Sequence, residues 1–146
     1  MDQGTNSPAW QYRDNNLFEA VTHDIHVAVR AGYLDDQSNP KESFYMWGYH
    51  ITITNKRDQP VQLLSRHWVI TDGAGQVRDI RGKGVVGQQP RILPGTSFRY
   101  SSGTPLATPT GFMQGHYEMI TKGGETLSIE IPAFSLDSPV GTYQVN

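Results

Sequence analysis

Hydrophobic residues fall mostly on alternate positions, in short runs separated by glycine, proline and polar turns. Ile25, Val27 and Val29 alternate with His26, Ala28 and Arg30, and Tyr33 and Leu34 prolong the run. A period of two predicts a half-buried strand with one apolar face. The strongest run is Tyr45, Trp47, Tyr49, Ile51 and Ile53, which predicts a core strand. A third strand is expected over residues 61–71, with Leu64, Trp68 and Ile70 on one face and Val61, Leu63 and Val69 on the other. Asp72-Gly73-Ala74-Gly75 then reads as a hairpin turn leading into Val77 and Ile80. Phe98 and Tyr100 open a strand that ends at Ser101-Ser102-Gly103, and residues 104–111, with Pro105 and Pro109, read as a surface loop. Residues 116–120 form a strand and Lys122-Gly123-Gly124-Glu125 its turn. Leu127, Ile129 and Ile131 mark the last strand, since Pro132, Pro139 and Gly141 discourage pairing beyond it. About eight short strands without a helical period predict an all-β fold, a sandwich of two antiparallel sheets.

Composition narrows the picture. At 146 residues the chain suits one domain with a sizeable core. Its polar start, with Ser7-Pro8 and no periodicity, predicts a flexible tail over residues 1–18, pinned in part by Trp10 and Tyr12, before a single domain at 19–146. A formal net charge of −2 without a basic run disfavours nucleic acid as a partner. No cysteine is present, so disulfides and thiolate metal sites are excluded. No apolar run is long enough to cross a bilayer and no apolar signal core opens the chain, so no membrane insertion and a cytoplasmic location are expected.

One stretch invites chemistry. Gly82-Lys83-Gly84-Val85-Val86-Gly87 has the GxGxxG spacing that brings a backbone close to a pyrophosphate at a helix N-terminus. Gln88-Gln89-Pro90 and Pro94-Gly95 follow, and they cannot sustain that helix. A glycine-permitted bend between strands is the better reading. An anion nest of Gly82, Gly84 and Gly87 amides, aided by Arg81, Lys83, Arg78 or Arg91, is the alternative, with diphosphate or a nucleotide as ligand.

Several motifs together resemble the ApaG family: Val61-Gln62-Leu63-Leu64-Ser65-Arg66-His67-Trp68, the glycine stretch with Gln88-Gln89-Pro90, Tyr100-Ser101-Ser102-Gly103, Gly111-Phe112-Met113-Gln114-Gly115-His116-Tyr117-Glu118-Met119, and Ile131-Pro132-Ala133-Phe134. The resemblance spans about residues 21–139. His67 stands where many relatives carry an aromatic residue. The resemblance implies an immunoglobulin or fibronectin type III-like sandwich. It also implies a link to cobalt and magnesium tolerance or efflux, frequent genomic company with a diadenosine tetraphosphatase, and protein binding where the domain is appended to eukaryotic proteins.

The residues add little that is catalytic. There is no G-x-S-x-G elbow, and Ser101-Ser102-Gly103 reads as a strand end. Metal candidates are His23, Asp24 and His26, and the pair His116 and Glu118, which share a strand face two residues apart. Neither set makes a complete ligand cluster. The expectation is a non-enzymatic binding domain without a cofactor. Its partner would be an unidentified protein, with a phosphate-containing small ligand as the alternative. Tyr45, Trp47, Tyr49, Trp68, Phe98, Tyr100, Phe112 and Tyr117 exceed the needs of one small core; most are expected to pack inside, and the rest could line a partner-binding patch.

Overall fold

A computed structural model describes residues 17–139. These form nine strands: β1 (Leu17–Thr22), β2 (Ile25–Tyr33), β3 (Tyr45–Asn55), β4 (Val61–Asp72), β5 (Val77–Lys83), β6 (Arg91–Ile92), β7 (Ser97–Leu106), β8 (Thr110–Thr121) and β9 (Thr126–Asp137). One antiparallel sheet runs β1-β2-β3-β7, and the other β5-β4-β8-β9 with β6 beside β4. Their facing apolar sides make the core, from Ile25, Val27 and Val29 through Ile51 and Ile53 to Met113, Met119, Ile129 and Ile131. Each such side chain stabilises the fold by about 1.5–3 kcal/mol when fully buried. The expected all-β sandwich is therefore the fold found. Most of the eight aromatic residues pack inside it, as expected: Tyr45, Trp47, Tyr49, Trp68, Tyr100 and Tyr117 are buried, while Phe112 is exposed.

Four local expectations change. β1 begins inside the stretch read as a tail, and it joins β2 through His23 and Asp24, both at positive φ (50° and 60°). That is a two-residue hairpin without the usual glycine. Trp10, Tyr12 and the rest of the expected tail before Leu17 lie outside the described residues. The loop expected at 104–111 shrinks to three residues, because β7 runs on to Leu106 and β8 starts at Thr110, with Thr104 and Leu106 buried. Ser101-Ser102-Gly103 accordingly lies within β7 rather than at its end. β9 continues past Pro132 to Asp137 because Pro132 and Ala133 bulge opposite Gln114, which spares the proline a ladder bond.

The fourth change concerns β4. Leu63 pairs with Met119 and Ser65 with Glu118, so Leu64 is an extra residue in the ladder. The bulge reverses the alternation. Val61, Leu63, Trp68 and Ile70 all reach the core, whereas Leu64 and Val69 are only half-buried.

The glycine stretch holds this bulge in place. Gly84 N–H donates to Leu64 O at 2.8 Å, and the Gln89 side-chain amide donates to the same oxygen at 2.9 Å. Val85 and Gln88 exchange two backbone bonds of 2.8 Å around Val86 and Gly87, at φ 42° and 80°. The stretch is thus a tight hairpin, not a loop opening a helix. Gly84 sits at φ +66°, and a Cβ there would collide with Gln88 O.

Across the core, Tyr100 and Tyr117 share a 2.5 Å hydroxyl–hydroxyl hydrogen bond beneath Tyr49 and Arg66. Burial raises the pKa of all three tyrosines above its ordinary value of 10.0, and the Arg66 guanidinium opposes the shift. Above pH 10 the unfolded chain therefore releases protons that the folded chain retains, and stability falls as pH rises. The slope should reach about 2.7 kcal/mol per pH unit from Tyr100 and Tyr117, with Tyr49 adding to it. Urea unfolding followed upward from pH 9 should show the midpoint falling steeply above 10, with Tyr100→Phe reducing the slope. A flat midpoint would contradict the buried hydroxyls. At the hairpin, Gly84→Val should cost about 2–4 kcal/mol, while Val86→Asn should stabilise by about 1 kcal/mol because asparagine tolerates positive φ better than valine does. Thermal melts of both variants check these signs.

Candidate functional site

The outward-facing Ser65, His67, Arg81, Lys83, His116 and Glu118 of β4, β5 and β8, with Arg66 and Gly82 between them, line a groove of about 460 Å³. The register explains why they meet. Ser65 lies opposite Lys83 on one side and Glu118 on the other, and His67 lies between Arg81 and His116. Two sets of candidates that the sequence kept apart, the basic residues beside the glycines and the pair His116 and Glu118, therefore share one surface.

Its polar groups are partly organised. His67 Nε2 and Asp79 Oδ1 are 2.7 Å apart, and the His67 ring meets the His116 ring nearly edge-on, with centroids 5.2 Å apart. Arg66 turns toward the core side of β4. Its Nη1 donates to Gly84 O at 2.8 Å and to Lys83 O at 3.3 Å. A Cβ on Gly82 would lie 2.7 Å from that guanidinium, so Gly82 is the gap across which Arg66 lies. Among the described residues, the ion pairs are His67 with Asp79 and His26 with Glu19, which leaves Arg81 and Lys83 without an acidic partner.

Part of the glycine stretch is taken up by the fold itself. The amides of Gly84 and Val85 already donate to Leu64 O and Gln88 O, and Gly82 is a ladder position opposite Arg66. Gly87 closes the hairpin turn beside Val86. Arg78 and Arg91 do not join the groove. Arg78 Nη2 reaches Pro105 O at 2.7 Å, and Arg91 pairs with Gln62 on the far part of β4.

No group of three or more histidine or acidic side chains among the described residues could hold a metal ion. His116 meets His67 edge-on, His26 bonds to Glu19, and His23 and Asp24 form the first hairpin turn, where their carbonyls accept from Arg57 and Lys56. His50 bonds to Ser101 across β3 and β7, on the outer face of the other sheet. A second cavity, about 400 Å³ beneath Phe44 and Leu106, holds Asp72 and, of the predicted anion and metal residues, Arg78 alone.

Sequence reasoning missed Arg66, His67 and Asp79. The signal was present in the β4–β5 turn. Gly75 takes φ +84° and Asp72 Oδ1 accepts from the amides of Ala74 and Gln76 at 2.9 Å, fixing a register that places His67 opposite Arg81.

The described residues contain no helix long and apolar enough to cross a membrane. A family model described as the ApaG domain matches residues 35–121. The chain is 58% identical over 130 residues to Protein ApaG of Mesorhizobium japonicum, covering 89% of this chain and all of that one. It is 54% identical over 123 residues to Protein ApaG of Agrobacterium fabrum, covering 84% and 95%. A Bordetella pertussis crystal structure superposes with a TM-score of 0.78 at 42% identity, covering 82% of this chain and 98% of that one. The fold, the ordered motifs and these likenesses agree, and the chain belongs to the ApaG family.

Proposed function

We propose that this domain is a non-catalytic binding module that acts in the cytoplasm through a protein partner. One observation carries the reading: the two sides of the sandwich differ. On one side β9 lies against β1, where Glu130 N–H donates to Thr22 Oγ1 at 3.1 Å. On the other, β5 and β7 are the outermost strands of their sheets, linked by the Arg78 contacts to Pro105 and Thr104. An exposed sheet edge offers a ladder of backbone donors and acceptors, which is a common means of recruiting another chain. Any part in cobalt or magnesium tolerance, as the family resemblance implies, would then run through that partner.

A phosphate-containing ligand is the second reading, favoured by Arg81, Lys83 and two histidines around one groove. It would rest mainly on these side chains, since the amides of Gly84, Val85 and Gln88 are already engaged.

Two measurements separate the readings. Diadenosine tetraphosphate should be neither hydrolysed nor bound, with no saturable amide shifts at Gly82, Gly84 or Gly87 at millimolar ligand. A photoreactive side chain at exposed Val77 on β5 should trap one discrete protein in cells, and the same group at exposed Val21 on β1 should not. Nucleotide turnover, or equal trapping from both positions, would sink the proposal.

A further inference from the structure

The exposed edge of β5 has a definite hydrogen-bonding phase. At one end of the β4–β5 ladder, Asp72 N–H donates to Gln76 O, and at the other, Gly84 N–H donates to Leu64 O. Both pairs fit the register that matches Ser65 with Lys83 and Thr71 with Val77. Bonded positions in an antiparallel ladder recur at every second residue. Arg78, Ile80 and Gly82 therefore spend their backbone groups on β4, while Val77, Asp79, Arg81 and Lys83 direct theirs away from it.

The residues with outward backbone groups also carry the outer-face side chains, by the alternation of the strand. Arg81 and Lys83 stand two residues apart, exposed and without an acidic partner among the described residues, while Asp79 is taken up by His67. Between them Gly82 presents no side chain, and the Arg66 guanidinium lies over the gap. Arg78, tied to Pro105 O, fixes the first part of β5 against β7 and leaves the part from Asp79 onward as the open edge.

Resting on the reading of the domain as a protein-binding module, we propose that this edge takes an extended acidic segment of the partner as an added antiparallel strand. Acidic side chains at alternate positions would stand opposite Arg81 and Lys83. Side chains directly opposite in an antiparallel pair lie about 4.5–5.5 Å apart at Cβ, close enough for both ion pairs. The intervening residue would face Gly82 and the Arg66 guanidinium, where no side chain of β5 stands in its way. Backbone bonds supply the general affinity, and the two charges select an acid-x-acid pattern and its register.

The test uses the full chain, isotope-labelled, and a blocked peptide of sequence Thr-Val-Thr-Glu-Thr-Glu-Thr-Val-Thr. Saturable amide shifts should centre on Asp79, Arg81 and Lys83. Replacing both glutamates by glutamine should weaken binding about tenfold, as two partly exposed ion pairs would. The Arg81→Glu, Lys83→Glu variant, with its remaining amide spectrum unchanged, should lose the acidic peptide and gain the lysine counterpart. Methylating alternate peptide nitrogens should abolish binding. Absence of saturable shifts at millimolar peptide, equal affinity for the glutamine peptide, or indifference to N-methylation would each overturn the proposal. If the peptide fails while Val77 still traps a partner, the strand addition is wrong and the binding-module reading stands. Turnover of diadenosine tetraphosphate would remove that reading itself.

Discussion

The inserted Leu64 in β4 decides which way the following side chains point. Without it, Arg66 would point outward and His67, Trp68 and Ile70 would exchange faces accordingly, leaving an imidazole in the core and a tryptophan in solvent. A slip of one residue in a strand moves its whole apolar set to the wrong side. The bulge prevents this only if it stays at Leu64, and two donors from the glycine hairpin, Gly84 N–H and the Gln89 amide, converge on the Leu64 carbonyl to keep it there. Gln62 reaches Gln89 O in return at 3.1 Å, so the hairpin and the bulged strand clasp each other. The core, the groove and the position of Arg66 all follow from that clasp.

This gives the GxGxxG pattern a different physical meaning from the one its spacing suggests. Gly82 is bare because an arginine lies over it, Gly84 because a carbonyl stands where its Cβ would be, and Gly87 because the hairpin needs positive φ. Three glycines answer three steric demands, and none of those demands involves a ligand. The spacing coincides with that of a dinucleotide fold, while the structural context does not.

Much of the fold was legible because period-two alternation reports burial directly. β2, β3 and the turn at residues 72–75 stand where the pattern put them. The departures share one cause: bulges and glycine-free hairpins carry little local signal. Pro132 looked like a terminator, yet a bulge accommodates it. His23 and Asp24 make a turn that is usually built from asparagine and glycine. Leu64 looked like a core residue of one face because nothing in residues 61–68 announces an extra position. The groove was less legible still, since it brings together residues from β4, β5 and β8. Arg81, Lys83, His116 and Glu118 could be named one by one, but only the register shows that they are neighbours.

The asymmetry between the two sides of the sandwich also shapes its motions. It resembles a book bound along β1 and β9 and held at the opposite margin by the Arg78 clasp. Local opening starts where the fewest bonds must break, so fluctuations should be graded from binding to margin rather than spread evenly. The outermost strand of the second sheet then belongs to the least stable part of an otherwise firm body. A partner settling there would act as a second clasp, quieting the margin and lending the domain rigidity that it lacks alone.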